Sequence, residues 1–412
     1  MPVDPAISSL RLRRRGLCAV FFLPGWAIAS WVSRTPAVRD LLGASIAEMG
    51  MILLGLSIGS MTGILLSGRL VTRFGTRPII AVSTAAVAVA MPIVGIAAAA
   101  GLAPAVAAGL ALFGIGMGLC EVAINIEGSA LERVTGGSFL PTLQGWYSLG
   151  TLIGALTGMF LTARNLPVLW HLMLVGAAVG IVLTWAIRTV PEGTGRRARS
   201  SRPQHASGGR ALPRDPRLWA IGFVAMATAL AEGTATDWLP LLMVDGHGFG
   251  DTIGSAVFAL FAATMTVGRF SGAVLVERFG HTRVLAVSAA LAAMGMAVVG
   301  FTGDPLVVAA VVVWGLGTAL GVPVALSAAG RSGDRPEARV ALTSAMAYLA
   351  FLVGPPVIGL MGDAVGLRAA LLVPIVVVAA AVLCTPSAAP GRRTRERPGQ
   401  VDQTSGTDAS PV

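Results

Sequence analysis

What most constrains this chain is an apolar run of about 20 residues that recurs from one end to the other. The runs fall roughly at 16–36, 46–67, 78–100, 104–128, 140–163, 168–188, 217–240, 252–275, 283–302, 305–328, 340–361 and 367–386. A helix of about 20 apolar residues crosses the hydrocarbon of a bilayer. Twelve such helices use about 240 residues and leave about 170 for loops and tails. Only 12% of residues are charged, about half the share in soluble chains. A soluble domain is excluded, and so is disorder, which needs low hydrophobicity and high charge. A single anchor on a soluble body is excluded by the recurrence.

The runs form two sets of six. Residues 1–190 are expected to form an N-terminal six-helix half and residues 217–386 a C-terminal one. The stretch 191–216, PEGTGRRARSSRPQHASGGRALPRDP, has the Gly/Pro/Ser/Arg composition of a flexible linker. The similar segment 387–412 is expected to be a disordered tail. The N-terminus carries Arg11, Arg13, Arg14 and Arg15 before an apolar run, as a signal peptide does. Trp26, Trp31 and Arg34 occupy the region where small residues would mark cleavage. The run is therefore read as a retained first span.

Net charge is +10, and all 30 basic residues are Arg. They lie in the short breaks between runs and in the polar segments, not on one folded basic face, which argues against nucleic acid. With both termini placed in the cytoplasm, 25 Arg lie inside, Arg34, Arg39, Arg164 and Arg368 lie outside, and Arg269 lies within a span. That is the positive-inside pattern of a multi-pass protein of the cell inner (plasma) membrane. Cys18, Cys120 and Cys384 have no metal spacing, and four scattered His residues give no metal centre. No phosphate-binding glycine loop or dinucleotide fingerprint is present. No cofactor, no metal and no enzymatic activity are expected.

An internal repeat sits between the second and third run of each set. Residues 70–85 read LVTRFGTRPIIAVSTA and residues 275–290 read LVERFGHTRVLAVSAA, with nine of 16 positions identical at an offset of 205. Two six-span halves in the same orientation imply a pseudo-two-fold axis along the membrane normal, with a solute site at mid-membrane between them.

Around the first copy, Gly68-Arg69-Leu70-Val71-Thr72-Arg73-Phe74-Gly75-Thr76-Arg77 resembles the signature G-x-L-x-D-R-x-G-R-[KR] of the major facilitator superfamily. The resemblance covers the whole chain. It implies an all-α membrane protein with twelve transmembrane helices in two parallel six-helix repeats. Thr72 stands where the family has Asp. The second copy has Glu277, Arg278 and Gly280, with Ala273 in place of the first Gly. In the family, this loop helps latch one conformational state. The resemblance implies a weak latch in the first half and reliance on Glu277 and Arg278 in the second. Read from the residues, Gly75 permits a turn with positive φ, and Gly68 permits close helix approach. Arg73 and Arg77 can hold the loop at the headgroups and reach neighbouring helix C-termini. Trp31–Leu42, Glu121–Arg133 and Glu232–Trp238 further resemble a bacterial branch near the fucose-permease-like transporters. Its sugar-type members use a fourth-helix acid in proton coupling, and Glu121 occupies a similar place. Their first-helix acid is absent here, as is the fifth-span Gly-Pro signature of drug/proton antiporters.

Acids inside spans are the best chemical clues, because a charge in hydrocarbon costs at least about 2.5 kcal/mol. Glu121 and Glu232 are the candidates for proton coupling. Asn125 lies one turn from Glu121, on the same helix face. Glu127 is expected to pair with a loop Arg. Arg34 is expected to meet Asp237 or Glu232 when the outer mouth closes. Trp26, Gln144, Trp146 and Tyr147 complete the expected solute path, with Trp31 and Trp238 as belt residues or cavity rims. Together these features point to a monomeric, proton-coupled secondary transporter of a small molecule, exporting an amphipathic compound or importing a sugar-like solute. A proton-independent uniporter and a non-transporting sensor are the rival readings. The Arg bias makes a direct prediction. In intact cells, an impermeant thiol reagent labels a Cys placed near Arg164 and spares one placed in 191–216. Strong labelling of the linker from outside would reverse the orientation.

Overall fold

The computed structural model describes residues 5–135, 139–196, 215–303, 306–332 and 336–388. The middle of the expected linker and nearly all of the expected tail lie outside the described residues. All regular structure in the described residues is helical. Hydrocarbon offers no partner for backbone N–H and C=O groups, so each spanning segment must satisfy its own, as a helix does.

The first half contains α1 (Pro5–Val32), a short α2 (Thr35–Leu42), α3 (Ile46–Phe74), α4 (Thr76–Ala99), α5 (Ala103–Thr135), α6 (Leu140–Ala163) and α7 (Val168–Ala186). The second contains α8 (Pro216–Leu241), α9 (Asp251–Phe301), α10 (Leu306–Ala319), α11 (Gly321–Arg331), α12 (Pro336–Val365), α13 (Leu367–Ala370) and α14 (Leu372–Cys384). The helices α10 with α11, and α13 with α14, each make one span.

Among the described residues, eleven helical segments are long and apolar enough to cross a membrane. One of them, α9, has 51 residues, about 75 Å at 1.5 Å per residue. That is more than twice the hydrocarbon thickness of about 30 Å. The helix breaks at Gly280, with φ 77° and ψ 160°, so α9 holds the eighth and ninth spans and the total is twelve. Gly75 makes the same break between α3 and α4, with φ 89° and ψ 169°. The guanidinium of Arg73 lies 5.1 Å from the ring centre of Phe74, and that of Arg278 lies 5.4 Å from the ring centre of Phe279. The sequence repeat is thus a repeat of backbone shape and side-chain stacking. Gly68 departs from expectation: a Cβ there would meet nothing within 4 Å. The second position of the motif that needs glycine is the turn, not the helix before it.

Close approach occurs elsewhere. Gly55, Gly59 and Gly63 on α3 face the backbone of Ala107, Ala111 and Ile115 on α5, while Gly114 and Gly118 face Leu56 and Ser60 in return. A Cβ at Gly63 would lie 2.5 Å from the Ile115 carbonyl oxygen. Lipid tails are as apolar as Leu, so helices associate through such tight contact instead of hydrophobic expulsion. Along α6, Gly150 and Gly154 receive the backbone of Phe22 and Trp26 from α1 in the same way.

We call the side carrying Arg188–Arg196 and Asp215 the linker face and the other side the far face. The halves meet along two seams, α3 with α12 and α6 with the first part of α9. The first seam is tight toward the far face. Gly50 abuts Pro355 and Gly359, and the Ser57 hydroxyl donates to the Phe351 carbonyl at 2.7 Å. Beside it, Ser255 Oγ donates to the Ser33 carbonyl at 2.9 Å, and Arg39 forms an ion pair with Asp245 across the halves. At the linker face, the ion pairs among described residues stay within one half: Arg13–Glu127, Arg77–Glu192 and Arg339–Asp215. Asp215 caps α8 by accepting the Arg217 N–H at 3.0 Å. Burial pushes its carboxyl up, but the Arg339 hydrogen bond and charge and the cap bonds outweigh that, leaving it below the usual range. The structure is therefore closed at the far face and carries no ionic latch between halves at the linker face among the described residues.

The α3–α5 contact yields a stability prediction. Gly59→Leu forces a side chain into the Ala111 backbone, which costs about 1–3 kcal/mol or more. In detergent, its thermal transition measured by size-exclusion chromatography should fall well below that of Gly68→Leu, whose site is open.

Candidate functional site

The site is a set of ionisable and hydroxyl groups in the middle of the bundle, contributed by both halves. Arg269, on the eighth span, donates from Nη2 to Glu232 Oε1 on α8 at 2.7 Å and from Nη1 to Ser148 Oγ on α6 at 3.0 Å. The first bond neutralises two charges within one half, and the second ties that pair to the other half. Next to it, Thr266 Oγ1 lies 3.4 Å from the Ser148 carbonyl and donates at 2.7 Å to Ala262 within its own helix. Across the bundle, the Tyr348 hydroxyl on α12 reaches Glu121 Oε1 on α5 at 3.5 Å, at the long limit of a hydrogen bond. Tyr147 on α6 lies within electrostatic reach of Glu121, Arg269 and Glu232, and Arg269 within reach of Glu121. Two acids, one guanidinium and two phenols thus share one electrostatic environment.

The two acids differ in what they can do. Glu232 is held by a charge-assisted bond to a group that stays protonated. Glu121 has only a distant phenol as a direct partner. An acid without a cation in contact carries a high cost when ionised inside a bundle. A protonated Glu121 can instead donate, because a neutral carboxyl has one O–H. Arg269 has three N–H groups beyond the two used here.

Several expected residues join this set and others do not. Asn125 is part-buried one turn from Glu121. Trp26 packs against Phe22, which packs edge-on with Trp146 at 6.4 Å, and the Trp26 indole N–H is buried without a partner. Gln144 and Trp146 are exposed on α6. Trp31 and Trp238, expected at the belt or a rim, are fully buried in the core. Asp237 is buried and lines a narrow crevice with Thr234, Trp238, Phe351 and Pro355 between α8 and α12. Arg34 meets neither Asp237 nor Glu232, although the far face is closed. Its Nε donates to His171 Nδ1 at 2.9 Å, because the end of α1 is packed against α7 within its own half. Three participants escaped the sequence reading: Arg269, Tyr348 and His171. Arg269 carried a signal, as the one Arg inside a span. Tyr348 and His171 carried none, since their partners are 227 and 137 residues away.

The motif loop is bound differently from expectation. Buried Glu127 accepts from Thr76 Oγ1 and pairs with Arg13, so its partner comes from the start of α1 and not from a loop. Arg77 pairs with Glu192, and the Thr76 N–H donates to the Thr194 carbonyl at 2.9 Å. Residues just after α7 therefore strap the α3–α4 turn. The Thr72 hydroxyl donates to the carbonyls of Gly68 and Arg69 in its own helix and latches nothing. Glu277 and Arg278 are exposed, and Glu277 has no ion pair among the described residues.

Two parallel six-helix repeats that enclose charged groups at mid-membrane define a multi-pass membrane transporter of small molecules. The sequence matches the model of the Major Facilitator Superfamily over residues 15–333 and 250–408, and the chain belongs to that family. It is similar to the uncharacterized transporter y4wD of Sinorhizobium fredii, at 32% identity over 370 residues, covering 86% of this chain and 92% of that protein. Its fold matches a single-residue variant of the nucleoside transporter NupG with a TM-score of 0.75 at 14% identity, covering 91% of this chain and 99% of that one. It also matches FucP, a Major Facilitator Superfamily transporter in the outward conformation, with a TM-score of 0.62 at 16% identity, covering 92% and 99%.

The Glu127 cluster gives a second stability prediction. Glu127→Ala leaves Arg13 and Thr76 facing an apolar interior, and losing one partner of a buried pair costs about 3–5 kcal/mol. The variant should show a lower yield of folded protein, and Glu277→Ala should be indistinguishable from wild type in the same measurement.

Proposed function

We propose that the chain is a proton-coupled secondary active transporter that moves a small solute by alternating access, with Glu121 as the proton-carrying group. The termini and the linker face lie in the cytoplasm, in keeping with the Arg distribution. The observation that carries the reading is the mid-membrane pairing of unlike acids: Glu232 bound to Arg269 at 2.7 Å, and Glu121 with only Tyr348 at 3.5 Å.

The coupling follows from those contacts. Glu121 on α5 and Tyr348 on α12 belong to different halves, so rocking of the halves changes the distance between them. The carboxyl is stable when protonated in the apolar bundle and stable when ionised only if water or a cation reaches it. Each half-cycle exposes the central space to one face. Glu121 then exchanges a proton with that face alone. Arg269 keeps its ion pair with Glu232 within the second half and its bond to Ser148 as the pivot of the α6–α9 seam. Solute that binds between Glu121 and Arg269 completes the hydrogen bonds these groups lack and links its own passage to the proton's.

The test uses Glu121→Gln, which copies the shape and hydrogen bonding of the protonated acid. In proteoliposomes loaded with a panel of labelled amphipathic and sugar-like solutes, the variant should keep solute exchange at about the wild-type rate. It should lose accumulation driven by a pH gradient. Uphill transport at the wild-type rate would make Glu121 a structural residue. Wild-type transport that ignores the gradient would make the protein a uniporter.

A further inference from the structure

At the far face, two basic side chains are buried together. Arg34 is 4% exposed and His171 is 0% exposed. Their contact fixes the proton inventory: Arg34 Nε donates at 2.9 Å, so His171 Nδ1 accepts and carries no proton. The ring is then neutral, with its one proton on Nε2. Arg34 Nη2 and His171 Nε2 are both buried without a partner.

The pair stands where the halves meet. Arg34 is the residue that caps α2. Its neighbour Ser33 offers the carbonyl that accepts the Ser255 hydroxyl from the other half. The same Ser33 packs on Gly158 of α6, beside the His171 ring. Across the seam, Asp251 at the start of α9 lies within electrostatic reach of Arg34, Arg39 and Asp40, and Arg39 pairs with Asp245. The charged groups around the ring can be named element by element. From α1 the facing group is Arg34, the charge that acts on His171. Neither α4, whose one charged residue Arg77 is at the linker face, nor α6, which carries no charged residue, adds another.

We propose that His171 is a proton-sensitive positioning residue of the far-face gate. Neutral, it holds Arg34 by the Nε–Nδ1 bond, which aims the guanidinium charge at Asp251 and keeps the Ser33 carbonyl in place for Ser255. A proton taken up at Nδ1 removes the acceptor, and it sets two cations in contact without an anion between them. Arg34 must then move, and the contacts of the α1–α2 corner with the second half move with it. Proton uptake at this ring therefore favours opening of the far face. The device is separate from Glu121, which it neither touches nor requires.

The experiment reads the gate and not transport. Spin labels on Leu41→Cys in α2 and Val365→Cys at the end of α12, in a background with Cys18, Cys120 and Cys384 replaced by Ala, report far-face opening in lipid nanodiscs. Both positions are exposed. In otherwise wild-type protein, the long-distance population should grow as pH falls from about 8 to about 5, spanning the usual His range. The open-to-closed ratio should change by up to about tenfold per pH unit, the ceiling for one linked proton. His171→Gln supplies a non-titrating acceptor for Arg34, so it should remain closed across the range. His171→Ala should be open at every pH. A His171→Gln variant that keeps the wild-type pH response, or wild-type distances that do not move with pH, would overturn the proposal.

Discussion

The interaction on which the rest of the structure depends is the bond of Arg269 to Glu232 and Ser148 in the middle of the bundle. A guanidinium cannot shed its proton there, so the fold must supply its counter-charge. Glu232 does so from the adjoining span, and Ser148 adds a bond from the other half. With that charge satisfied, the α6–α9 seam can be packed with ordinary apolar contacts such as Phe270 on Gly145. Glu121 is left as the acid whose charge is free to vary.

Around this centre, the two halves are held by different chemistry at different depths. Near the far face, the α3–α12 seam is a backbone contact of Gly50 with Pro355 and Gly359, closed by hydroxyl–carbonyl bonds and the Arg39–Asp245 pair. Such contacts are specific but individually modest, of about 1 kcal/mol each. That scale suits a surface that must open in each cycle. At the linker face, the ion pairs brace each half internally. Glu127, Arg13 and Thr76 join α5, α1 and the α3–α4 turn into one body, and Asp215 with Arg339 joins α8 to α12. Rigid halves with a weak seam are what rocking motion requires.

The repeat shows how far duplicated sequence is allowed to diverge. Gly75 and Gly280 retain the same positive-φ break because only glycine adopts it without cost. Both Arg–Phe stacks are retained as well. The acid of the motif is not: Thr72 in one half is bonded to its own helix, and Glu277 in the other is exposed. Strapping by Glu192 and Thr194 fixes the first-half turn, while a Cβ at Gly280 would meet nothing within 4 Å.

Much of this was determined by the sequence alone, because the bilayer makes local composition decisive. Apolar length gives the spans, and the repeat at an offset of 205 gives two parallel halves. Even α9, which runs from Asp251 to Phe301 with a break at Gly280, was legible as two spans from the glycine and charges at 277–283. Glu121 and Glu232 stood out because acids are costly within apolar runs. Tertiary structure alone decided which of them is neutralised, since Arg269 could equally have faced lipid headgroups from a shorter helix. It also decided that Arg34 bonds to His171 and not to Asp237. Such pairings depend on helix rotation and on contacts between different spans, 37 positions apart for Arg269 and Glu232 and 137 for Arg34 and His171, and no local pattern of residue types encodes either.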